Sequence, residues 1–224
     1  MSNPFLIERL SLAISLRDMS VIPQRRSAPA TRRRALGGVA GNELLTAAVA
    51  GVLAVLLLAE ALTLLDLRGL RTPHMLLGLV LIPPVLLKLA STGHRMLSYY
   101  RGVRAYREKG PPVLPLRLLA PILVAATIAI FASGVAMLLV GHRSDTLMFF
   151  HQGGFIVWSG LFAVHFLSYA PRMLRSLAAD WRASRVRGVP GAGLRGLLVA
   201  SSLGAGVALA LVLLPHVTAW HPGG

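Results

Sequence analysis

The chain contains no cysteine. That excludes disulfides and every cofactor held through thiolate or thioether bonds. Charge is also scarce. Only 14% of residues are Asp, Glu, Lys or Arg, where a soluble domain carries about a quarter. Acid is scarcer still, at 8 residues against 23 Lys and Arg, for a formal net charge of +15. An ordinary signal peptide is missing too: MSNPFLIERLSLAISLRDMSVIPQ has no sufficiently long apolar core and no clear Ala-x-Ala site.

What remains is apolar. Hydrophobic residues make up 55% of the 224, and they gather in runs near the roughly 20 residues that cross a bilayer. No soluble fold of this size hides them all. The expected fold is all-α, a polytopic transmembrane bundle with five spans. They run from about Leu44 to Leu65, His74 to Ala90, Leu118 to Val140, Leu147 to Tyr169, and Leu197 to Leu214. Pro83 and Pro84 should kink the second, because proline removes a helical donor. The stretch 91–117 reads as an interfacial loop. Residues 5–19 suit a surface-lying amphipathic helix or a mobile tail, and 24–38 a basic linker.

Basic residues set the expected orientation. The tail and the loops at 91–117 and 171–195 hold nineteen Lys or Arg, and the opposite side holds Arg68, Arg71 and Arg143. The positive-inside rule then puts the amino terminus in the cytoplasm and the carboxyl terminus outside, as for a bacterial inner-membrane protein. Such clusters between spans match anionic lipid head groups, so nucleic acid is not an expected partner.

Four residues inside the spans carry chemistry. His74 and Lys88 are fourteen apart on the second span, and His151 and His165 are fourteen apart on the fourth. An α-helix turns about 100° per residue, so fourteen steps return to nearly the same face, roughly 21 Å deeper. The two spans run in parallel and present these residues at two matching depths. Polar groups at such depth point into the bundle or onto a cofactor. Paired imidazoles at His74 and His151 suit the two axial positions of a haem iron. Arg71 and Arg143, with His142, are candidates for its propionates, or for head-group contact.

The inner level is different. His165 offers a second haem ligand, but it faces Lys88, whose ammonium must lose its proton to coordinate. Lys88 also suits a haem propionate, a quinone oxygen or a head group, or it snorkels to the surface. Arg172 and Arg175 are candidates to serve an inner haem or quinone, with Tyr99, Tyr100 and Tyr106 nearby. His94 lies near the opposite face from His74. Glu60 and Asp66 stand at the outer end of the first span, where an acid can take a quinol proton. Gly78 and Gly154, each about one turn past a histidine, give a flat ring room.

With those residues in view, spans one to four resemble a membrane b-type cytochrome, broadly the bacterial cytochrome b561 or respiratory cytochrome b type. In the respiratory pattern, two parallel helices each carry histidines fourteen apart. His151 and His165 match one helix and His74 the start of the other; Lys88 replaces the fourth histidine. The resemblance implies haem b, one or two per chain, in a four-helix core. It also implies exchange of electrons between a quinone pool and an extracytoplasmic oxidoreductase subunit, with lipid around the bundle. The expected division is a basic tail at 1–43, the cytochrome b-like core at 44–175, and a loop, fifth helix and short tail at 176–224. A cofactor-free scaffold or assembly protein, or a small transporter, is the alternative. The chain is read as an electron-transfer subunit rather than a complete enzyme.

Overall fold

The computed structural model describes residues 37–110, 114–186 and 189–221. The amphipathic helix expected at 5–19 and most of the basic linker lie outside them. The described residues form helices: α1 Gly38–Thr63, extended by a 3-10 turn at Leu64–Asp66; α2 Arg71–Tyr100; the short α3 Arg104–Arg107; α4 Leu114–Val140; α5 Asp145–Val186; α6 Ala192–Val212; and α7 Leu214–Ala219. Five of them, α1, α2, α4, α5 and α6, are long and apolar enough to cross a membrane. The protein is a polytopic all-α membrane bundle.

Hydrocarbon offers no partner for backbone N–H and C=O groups, so a spanning segment must satisfy them within itself, and helix does so. Apolar side chains left on the outside are then an asset. Leu58, Ile122, Ile156, Leu167 and Leu211 are all exposed. In water such a belt would aggregate; in lipid it is the solvated surface.

Two helices run farther than the apolar pattern indicates. α2 continues past Ala90 to Tyr100, so the first ten residues of the expected loop are helical. The helix stops where Gly102 takes φ 78°. There Val103 N–H donates to Ser98 O at 3.0 Å and Gly102 N–H to Tyr99 O at 3.1 Å. This is a glycine-terminated helix end that reuses carbonyls left without helical donors. α5 likewise continues beyond Tyr169 to Val186. Both extensions are amphipathic or basic, as suits helix emerging into the head-group layer.

α2 also passes through Pro83 and Pro84 as one helix. Without its N–H, Pro84 leaves the Val80 carbonyl short of its helical donor. α6 covers that spot. A Cβ on Gly206 would collide with the Val80 carbonyl oxygen and lie 3.0 Å from its Cα. Only glycine lets the two backbones meet there.

Inside the bundle, Leu45, Val49 and Leu53 of α1 pack on Leu81 of α2, with Phe131, Leu198 and Val199 against them. Leu79, Leu138, Ala210 and Val217 make a second cluster, which meets the first along α2. α2 is therefore gripped by α1 and α6, while α5 pairs with α4 and touches α1. α2 and α5 are not close backbone neighbours.

Candidate functional site

The space between α2 and α5 is a cavity of about 2020 Å³, roughly twice the 1,000 Å³ upper range for a small-molecule pocket. Residues of α1, α2, α4 and α5 wall it, and α6 contributes none among the described residues. Of the residues expected to hold a cofactor, His74, Lys88, His151, His165, Arg71, Arg143 and Arg172 line it. Arg175 does not. Its Nε donates to Pro171 O at 3.1 Å, so it caps its own helix turn instead of reaching inward.

At one end His74 and His151 meet across the gap. Their ring centroids are 6.3 Å apart and the rings stand at 87°. Each ring is held by Nδ1. His74 Nδ1 lies 2.8 Å from Glu60 Oε1 and 3.1 Å from Thr63 Oγ1. The Thr63 hydroxyl donates to Glu60 O at 2.6 Å, so toward His74 it accepts. A carboxylate accepts as well, which puts the His74 proton on Nδ1. His151 Nδ1 lies 3.0 Å from Ile130 O, and a carbonyl can only accept. In its neutral form each imidazole therefore keeps its lone pair on Nε2. Neither Nε2 is enclosed or hydrogen-bonded among the described residues.

Gly134 makes room for this. A Cβ there would stand 3.1 Å from His151 Cε1 and 3.3 Å from Nδ1. Gly154 serves a different end from the one expected: its missing side chain faces Ile130 and Ala129 of α4, not the gap. At Gly78 the nearest atom to such a Cβ is Glu60 Oε1, at 3.8 Å.

The rim at this end is basic. Arg71 lies over the Trp220 ring, 5.3 Å from its centroid. Trp220 Nε1 donates to Met137 O at 3.2 Å, and His221 N–H donates to Gly141 O at 3.1 Å. The carboxyl-terminal strip is thus stitched to the end of α4. Arg143 pairs loosely with the exposed Asp145, at 3.5 Å. His142 bonds to the neighbouring Arg143 carbonyl at 2.9 Å and does not line the cavity. Asp66 turns back to accept from Gly69 N–H at 3.1 Å.

The other end is built differently. Lys88 Nζ donates to Thr46 O on α1 at 2.8 Å. Around it runs a polar seam: Asn42 Nδ2 donates to Ser91 O at 3.1 Å, Thr46 Oγ1 lies 3.0 Å from Ser91 Oγ, and Ser91 Oγ donates to Lys88 O at 3.0 Å. His165 of α5 lines the same cavity as Lys88 of α2. Its Nδ1 is enclosed with no partner, and its ring tilts on Tyr169 at 4.7 Å. Between the two ends Trp158 and Phe162 stack at 4.4 Å and 8°, and Phe162 stacks on Phe166 at 5.5 Å. Trp158 Nε1 donates to Thr127 Oγ1 at 3.0 Å. His94 lies off the cavity, edge-on to Tyr106 at 5.8 Å.

Four features of the site escaped the sequence. Glu60 and Thr63 clamp His74, Trp220 seats Arg71, α1 and α2 share the Asn42–Thr46–Ser91 seam, and Trp158, Phe162 and Phe166 form a slab. The slab was open to detection, since its residues recur every four positions on the face of His151. The rest depends on pairing between helices, which no local pattern encodes.

Comparison of the chain with family models, with curated proteins and with solved structures finds no match.

Proposed function

We propose that His74 and His151 hold a b-type haem and that the protein is a membrane electron-transfer subunit. The observation that carries this is the spacing and anchoring of the two rings. A metal–imidazole nitrogen bond is about 2.0 Å, and a ring centroid lies about 1.1 Å behind its nitrogen, so two trans imidazoles on one metal set their centroids roughly 6.2 Å apart. The observed separation is 6.3 Å. Metal-bound histidines characteristically donate their second N–H to a carboxylate or carbonyl, as Glu60 and Ile130 here accept.

Two protein ligands suit a metal whose other positions come from a macrocycle. No group of three or more His, Asp or Glu able to hold a bare ion occurs among the described residues. Bound there, haem would supply one-electron exchange at an iron with both axial positions taken. The protein's part is to fix the ligands before binding. Glu60 and Thr63 set the tautomer and tilt of His74; Ile130 does so for His151. Arg71, backed by Trp220, and Arg143 offer cations at the rim for carboxylates. The cavity lining between the rings is largely apolar, and no side chain among the described residues hydrogen-bonds to either Nε2.

On this reading the wider role is passage of electrons between a quinone pool and an extracytoplasmic oxidoreductase subunit, with lipid as the surrounding partner. Most of the cavity lining falls within 44–175, with Asn42, Glu43, Ser176 and Trp220 beyond it. The charge bias supports a bacterial inner-membrane location with the amino terminus cytoplasmic.

The test is spectroscopic. Protein purified with haem available is expected to give reduced-minus-oxidised b-type bands. His74→Ala and His151→Ala should each abolish them while the protein still elutes as a single species. A colourless wild type under haem-replete expression would refute the proposal.

A further inference from the structure

We infer that the far chamber of the cavity, between Lys88 and His165, is not a second haem site but binds a quinone ring through its carbonyl oxygens. The three cavity histidines are held in contrasting ways. His74 and His151 have Nδ1 tied to acceptors and so offer lone pairs at Nε2. His165 has nothing at Nδ1, which is enclosed. A neutral imidazole keeps its proton where an acceptor can reach it, because an enclosed N–H without a partner is costly. For His165 that position is Nε2, the nitrogen that is not enclosed. It presents a donor where the other two present a ligand atom.

Lys88 lines the same cavity from α2, and it too is a donor. An ammonium has three N–H groups and no lone pair. One is spent on Thr46 O at 2.8 Å, which leaves donors for a second acceptor. The chamber therefore offers donors from two helices and lacks the tethered imidazole pair that fits a metal at the other end.

The remaining features select the ligand. Between the two levels Trp158 and Phe162 stack on one another at 4.4 Å and 8° and line the cavity, an aromatic column against whose edges and end face a planar ring can pack. A quinone has a planar ring, para-disposed carbonyl oxygens that accept only, and solubility in the bilayer. The cavity, at about 2020 Å³, leaves room for it beside a porphyrin. Quinone exchange belongs to the function proposed above; the assignment of these residues deepens that reading, and binding can be measured without haem.

The probe is menadione, titrated into purified full-length protein while tryptophan fluorescence is followed, with Trp158→Phe as the blank. Saturable quenching is expected in the wild type. His165→Leu and Lys88→Met should each weaken it about 5- to 10-fold, as loss of one hydrogen bond does. His165→Gln and Lys88→Arg, which retain donors, should recover most of it. Haem content should stay at one per chain throughout. A second haem per chain that His165→Leu removes would overturn the inference. So would menadione binding unchanged in both His165→Leu and Lys88→Met, or no saturable binding at all. If wild type binds menadione but never haem, the haem proposal falls and this one stands.

Discussion

Glu60 of α1 reaches His74 of α2 with Oε1 2.8 Å from Nδ1, and its second oxygen is enclosed without a partner. The acid is thus committed to one imidazole. The sequence suggests a proton acceptor for a quinol; the structure makes Glu60 the anchor of a ring.

Removing that anchor has a defined cost. Glu60→Ala frees the His74 ring to rotate and to change tautomer. Loss of such an outer partner typically weakens metal affinity about 10- to 100-fold. Haem titration of the purified variant should show this, with helix content unchanged. Undiminished affinity would mean that Glu60 does not orient the ligand.

Gly134→Ala probes the second ring. The added methyl would sit 3.1 Å from His151 Cε1, tighter than ordinary contact, so the ring must shift. We expect a displaced or weakened absorption band in Gly134→Ala and loss of the band in Gly134→Val. Gly160→Ala is the control, because a Cβ there meets nothing within 4 Å. Identical spectra in all three variants would remove Gly134 from the site.

Gly206→Leu should fail by a different route. Its side chain must enter the Val80 backbone where Pro84 has left a carbonyl unpaired. Overpacking of this kind costs about 1–3 kcal/mol. Denaturation in mixed detergent micelles would read it as a lower midpoint. Any haem retained should keep a normal spectrum, because α6 does not line the cavity.

Lys88→Met separates fold from ligand. Lys88 has a carbonyl partner and no ion pair among the described residues. Replacing this unpaired ammonium with an apolar chain of similar length removes the cost of burying a charge and gives up one hydrogen bond, two effects that oppose each other. Stability should hold within about 1 kcal/mol, with the His74–His151 spectrum intact. Unfolding of this variant would show that the seam to Thr46 holds the bundle together.

The bundle was legible because bilayer thickness imposes length and apolarity on each span. The histidine face was legible because helical geometry is rigid over fourteen residues. Where spans leave the apolar layer, that constraint ends, so Ser91–Tyr100 reads as loop although it is helix. Gly102 marks the true stop, but only to a reader who gives a lone glycine more weight than a run of polar residues. Glu60 and Gly154 show the other limit. Each was visible as a residue, while its partner lay on another helix whose rotation only packing decides.

The right angle between His74 and His151 has an electronic consequence. If the proposed haem binds between them, imidazole planes crossed in this way would act equally on the two iron d orbitals of π symmetry and leave them nearly degenerate. A low-spin ferric centre held this way should give a strongly anisotropic electron paramagnetic resonance signal, with one dominant feature at high g. Parallel planes would lift the degeneracy and spread the signal into a resolved rhombic set.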